Sequence, residues 1–221
     1  MQHTPDASPT PLIPRWLKLA YTAFMAVLIP VYWFNYGVTN FLFFCDVALI
    51  LTLIGVWTEK PLFISLAAVG ILLPQALWCL DFMVGLFGVR MTGLTNYMFD
   101  ETRPLFLRGI SLFHGWLPIM LIYLVFRVGY DKRAFHGWTL TSVGLCVFSF
   151  LFLPAPGSAE VLANPHIPYN VNYVFGMSET EVQTVMPPTL YLVVWISALI
   201  ALVYLPTHAL LRRISPAPKL R

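Results

Sequence analysis

The chain has 221 residues, 58% of them hydrophobic and 10% charged, with a net charge of +3 and a mean hydropathy of +0.75. A soluble domain carries about 25% charged residues, so the composition excludes an ordinary soluble domain and predicts an integral membrane protein. It also gives no compact basic stripe and no nucleic-acid motif, so no nucleic-acid partner is expected.

Residues 1–15 are polar and Pro-rich and lack the basic-then-apolar order of a signal peptide. They are read as a cytoplasmic tail, with the basic residues 212–221 as its counterpart. Residues 16–211 form the expected transmembrane domain. A spanning helix needs about 20 mostly apolar residues, and six segments meet that need: 16–35, 38–57, 61–86, 107–126, 138–154 and 188–211. The fold class is therefore an all-α polytopic bundle of six transmembrane helices. Glu59, Lys60 and Pro61 make a tight turn between spans two and three, and prolines 30, 74, 118 and 206 fall inside spans as expected kinks. Placing both termini in the cytoplasm puts ten Lys and Arg inside and three (Arg90, Arg103, Arg108) outside, as the positive-inside rule requires. The two long links, 87–106 and 155–187, then face outward. The second contains NPHIPYNVNYVFG, an aromatic- and Asn-rich composition that suggests an ordered cover.

This topology turns position into depth. Cys45 and Asp46 in span two, Asp81 in span three and His114 in span four all fall in the outer half of the bilayer. Asn40 lies just above them and Gln75 deeper. Gln75, Trp78 and Asp81 share one drifting helical face, and Ser111 and His114 are three apart on span four. An intramembrane charge costs on the order of 2.5–3.5 kcal/mol on insertion scales, which marks Asp46 and Asp81 as candidate functional groups. The plainer reading is that Gln75, Asn40 and Ser111 are helix glue or caps and that His114 is a satisfied core histidine. His166, in the second outer loop, could reach the layer from above. Two same-side histidines are too few for a many-histidine di-iron box, no CxxC pattern suggests zinc, and neither cofactor nor metal is expected. Cys45 as nucleophile, His114 as base and Asp46 or Asp81 as orienter would suit acyl transfer or lipid hydrolysis on membrane lipids. The same residues also suit a non-catalytic assembly partner or small-ligand binder, with a possible protein partner in the membrane, or a proton-coupled transporter.

The islands FFCDVALILTLIGVW, SLFHGWLPIMLIYLVF and NVNYVFG, in that order, resemble the YwaF-type family of integral membrane proteins, which includes acyltransferases of ether-phospholipid remodelling. The resemblance spans roughly residues 38–176. It implies a nucleophile at Cys45, a base at His114 and a matching Asn-Tyr segment at Asn172 and Tyr173. The chain departs from the family at Phe43, where histidine is usual, and at Asp46, where a small residue is usual. A broader likeness to uncharacterised bacterial membrane-associated proteins implies a bacterial inner (plasma) membrane location.

Overall fold

The computed structural model describes residues 11–164, 167–178 and 181–219, and every regular element among them is helical. Helix α1 is Arg15–Tyr36, followed by a 3-10 turn at Val38–Leu42 and then α2, Phe44–Thr58. Helix α3 is Pro61–Gly85, α4 Leu105–Val128 and α5 Ala134–Phe152. A short helix, α6 (Ala159–Ala163), lies within the second long link, and α7 is Pro188–Ile214. Helices α1, α3, α4, α5 and α7 are long and apolar enough to cross a membrane, whereas α2 is apolar but only 15 residues long.

Span two thus differs from its expected form. The sequence predicts one helix over 38–57, but the backbone is extended at Phe43 (φ −62°, ψ 141°), and α2 begins only at Phe44. Asp46 therefore lies in the first turn of a helix instead of at mid-helix. The cause is long-range: the side chain of Asn172, from the second long link, takes over the hydrogen bonds that break there, as described below.

Proline acts as expected in part. Pro30, Pro74 and Pro118 lie within continuous helices. Pro206 follows a π-helical stretch, Leu199–Tyr204, inside α7. Proline lacks an N–H and crowds the carbonyl one turn back, and the wider π turn before it accommodates both defects without ending the helix.

Helix α3 is the hub, packed by α2, α4, α5 and α7. Small residues allow the close approaches. A Cβ on Gly55 would overlap Ile64 across the α2–α3 hairpin, and one on Gly70 would overlap the indole of the fully buried Trp138 of α5. Such small-residue contacts are the usual means of close helix packing in lipid, where dispersion replaces a hydrophobic drive.

One end of the bundle gathers both described chain ends. Glu59, in left-handed backbone (φ 53°) at the α2–α3 turn, accepts from the N–H groups of Leu12 and Ile13 at 3.1 Å each and pairs with Lys18 at 2.8 Å. Arg127, in the last turn of α4, donates to the Leu12 carbonyl at 3.0 Å. The C-terminal segment pairs with the α4–α5 link through Tyr130 N–H to Pro216 O and Lys219 N–H to Val128 O, 2.9 Å each. Burial opposes the charge on Glu59, but Lys18 and the two N–H donors outweigh it and hold the carboxyl below its usual range. A depressed carboxylate stabilises the fold above its unfolded pKa and loses that contribution as pH falls through the folded value. Acidification below about pH 4.3 is therefore expected to lower the thermal midpoint of the wild type more than that of Glu59→Gln, measured by thermal unfolding in detergent across pH.

Candidate functional site

The site begins at the break before α2. Asn172 lies in left-handed backbone (φ 59°), a conformation that Asn tolerates better than most residues. Its side chain accepts from the Phe44 N–H at 2.9 Å and donates to the Leu42 carbonyl at 2.9 Å. One amide thus satisfies a donor at the start of α2 and an acceptor at the end of the 3-10 turn. The loop that presents it is itself pinned. Trp195 Nε1 of α7 donates to the Asn172 carbonyl at 2.8 Å, and the Tyr191 hydroxyl donates to the Tyr173 carbonyl at 3.3 Å. Asn170 accepts from Phe175 N–H at 3.0 Å and donates to the carbonyls of Gly176 and Ser178 at 2.9 and 3.0 Å.

The clamp places Cys45 and Asp46 in the first turn of α2. The helix dipole favours negative charge at that end. The Asp46 carboxylate, 3% exposed, accepts from Asn40 Nδ2 at 3.1 Å through Oδ2. The half-buried Cys45 thiol also faces this oxygen, at 3.9 Å. The other oxygen, Oδ1, has no hydrogen-bond partner in the protein, and neither does Oε1 or Nε2 of Gln75, which is 2% exposed. From the Gly55–Ile64 contact, Asp46 is nine residues outward along α2 and Gln75 eleven along α3. At the helical rise per residue they differ in depth by only about 3 Å.

His114 belongs to a separate aromatic wall. Its Nδ1 lies 2.8 Å from the Ser111 carbonyl, and its ring stacks on Trp78 (centroids 5.0 Å) and Phe113 (4.0 Å). A carbonyl can only accept, so Nδ1 carries the proton and Nε2 keeps its lone pair. Ser111 Oγ donates to the Leu107 carbonyl at 3.1 Å, which leaves it to accept from the Tyr32 hydroxyl at 3.0 Å. Trp78 Nε1 donates to the Tyr97 hydroxyl at 3.1 Å. Burial pushes the Tyr97 phenol far above its ordinary value, Trp78 opposes that rise, and the nearby Cys45 adds to it. Tyr97 thus extends the aromatic wall into the first long link.

Asp81 is engaged elsewhere. Its carboxylate accepts from Thr92 N–H at 2.6 Å and from Thr95 N–H and Oγ1 at 3.0 and 2.7 Å, organising the first long link at the head of α3. It helps line a cleft of about 540 Å³ with Arg90, Tyr97 and Arg103. Of the expected site residues, Asn40, Cys45, Asp46 and Asn172 thus gather at the head of α2, with Gln75 at the depth of Asp46. Trp78, Ser111 and His114 form the wall, Asp81 ties the first long link, and Tyr173 holds α7 through its carbonyl. His166 lies outside the described residues.

Sequence reasoning passed over Tyr32 and Tyr97, which tie α1 and the first long link to the wall. It also passed over a deeper uncharged set on α5 and α7. Trp138 Nε1 and the Tyr204 hydroxyl are buried without a protein hydrogen bond, and their rings meet edge-on at 6.4 Å. The available signal was Trp138 and Ser142, four apart on one face of an apolar span. Among the described residues no group of His, Cys, Asp and Glu has the clustering a metal needs.

Asp81 takes three of the hydrogen bonds that hold the first long link. Asp81→Ala is expected to speed limited proteolysis within residues 87–104 while leaving the helical circular dichroism unchanged.

No family model matches the chain, and no curated protein or solved structure does either.

Proposed function

We propose that this is a six-span protein with both ends in the cytoplasm, whose outer-half site binds the polar group of a membrane lipid. One observation carries the ligand reading: Asp46 Oδ1 and both polar atoms of Gln75 are buried at nearly one depth without protein partners. A buried polar group left unpaired costs about 1–3 kcal/mol, so an arrangement that keeps three such atoms favours a ligand that completes them. Two acceptors and one amide donor suit a hydroxyl- or amine-bearing headgroup. The half-buried Cys45 and His114 border this layer, so a ligand would enter from the surrounding bilayer. The six-span reading is supported by the apolar α2 between two longer helices and by the gathering of both described chain ends at one end of the bundle. The excess of Lys and Arg at that end supports its cytoplasmic side.

A second reading, acyl transfer or hydrolysis, is favoured by the His114 geometry. Its Nε2 keeps a basic lone pair for taking a proton from a nucleophile such as Cys45. Against it, the hydrogen bond of the Cys45 thiol goes to Asp46.

Reporter fusions after residue 221 and near residue 165 test the topology, with opposite-side signals expected. Same-side signals, or an outer signal after residue 221, would contradict it. Lipids extracted from the purified protein test the site. Gln75→Leu and Asp46→Asn are expected to lose a co-purifying lipid that Cys45→Ala and His114→Ala retain. If the last two instead abolish labelling by an acyl-directed activity probe and change lipid profiles, the enzymatic reading prevails.

A further inference from the structure

At the end of the bundle that carries the chain ends, α5 and α7 diverge around a groove of about 590 Å³. Four basic side chains converge on it: His136 from α5, and His208, Arg212 and Arg213 from α7. Phe135 and Leu205 supply its apolar wall. The groove is independent of the outer-half site and lies at the opposite end of the helices.

The local charges are unbalanced. Among the described residues, the carboxylates at this end already have cations: Glu59 pairs with Lys18, and Asp131 accepts from Arg133 at 2.7 Å. Among the described residues neither Arg212 nor Arg213 has an ion-pair partner, and no lining residue is acidic. The orientation of His208 is set from within. The buried Tyr130 hydroxyl lies 2.6 Å from its Nδ1. The phenol proton has this one acceptor, so Tyr130 donates and the second ring nitrogen, Nε2, keeps its hydrogen as a donor. The apolar surface continues from the groove toward the middle of the helices, where Leu140 is 76% and Leu202 71% exposed.

Convergent cations beside an exposed apolar helix surface match an amphiphile with an anionic head and acyl tails. We propose that this groove holds the phosphate of an anionic phospholipid in the leaflet on the side of the chain ends, with its acyl chains along Leu140 and Leu202. The guanidinium groups of Arg212 and Arg213 pair with phosphate oxygens, as their planar donor fork favours. His208 donates from Nε2, and Phe135 and Leu205 receive the glycerol end of the chains.

The test is titration of the purified full chain, in neutral detergent, with phosphatidylglycerol, phosphatidylcholine or inorganic phosphate, read by native mass spectrometry and thermal midpoint. Phosphatidylglycerol is expected to form a discrete adduct and raise the midpoint, while the other two do neither. Arg213→Gln removes an exposed side chain without an ion-pair partner and should weaken phosphatidylglycerol binding roughly fivefold, the worth of one basic residue near a lipid surface. Lys60→Gln removes an exposed charge at the same end but outside the groove and should leave the affinity unchanged. Equal binding of phosphatidylcholine, full stabilisation by phosphate alone, unaltered affinity in Arg213→Gln, or an equal loss in Lys60→Gln would each overturn the assignment.

Discussion

The amide of Asn172 is the contact on which the candidate site depends. A bilayer offers no water to backbone groups, so a helix that breaks within it must have its freed donors and acceptors met by the protein. The break at Phe43 frees groups on both sides, and Asn172 satisfies one on each: the Leu42 carbonyl and the Phe44 N–H. The left-handed backbone at Asn172 and Tyr173 is a local cost, on the order of 1–3 kcal/mol for such residues. Trp195 and Tyr191 hold that conformation by donating to the two carbonyls. A loop outside the helices thereby determines where a helix inside the bundle begins.

That starting point makes the burial of Asp46 intelligible. In an unbroken span its carboxylate would face closed backbone hydrogen bonds on every side. In the first turn of α2 it meets the favourable end of the helix dipole and a donor from Asn40. The stabilisation is partial, because only one of its oxygens is met. The second oxygen, like the amide of Gln75, is buried without a protein hydrogen bond, and the proposed ligand would complete both. Around this layer, α3 provides the rigid frame, since four other helices pack on it and its glycine at position 70 admits Trp138 to close range.

Much of this was legible in the sequence because apolar length and Pro, Gly and charge placement are local signals. Helices α1, α3, α4, α5 and α7 fall close to their expected spans. The break at Phe43 was not legible, because its cause, Asn172, lies 128 residues from its partner Phe44. In NFLFFCDVALILTL the polar residues Asn40, Asp46 and Thr52 are scattered through an apolar run, and none of them marks a break at Phe43. The role of Asp81 was also hidden. Its spacing with Gln75 and Trp78 is a true helical face, but Asp81 is near the end of α3, where Thr92 and Thr95 fold back to meet it. Tyr32 and Tyr97, which bond to Ser111 and Trp78, carry no signal apart from being amphipathic. Their partners become visible only when α1 and the first long link are packed against α3 and α4.

The reactivity of Cys45 reports directly on the clamp, since the thiol belongs to the turn that Asn172 holds. In a Cys79→Ser, Cys146→Ser background, the rate of Cys45 alkylation by a membrane-permeant maleimide can be compared with and without Asn172→Ala. A clamp that fixes the first turn of α2 predicts faster alkylation once the amide is removed, with the overall helical content retained. An equal rate in the two proteins would contradict the account, because the first turn would then be held without Asn172.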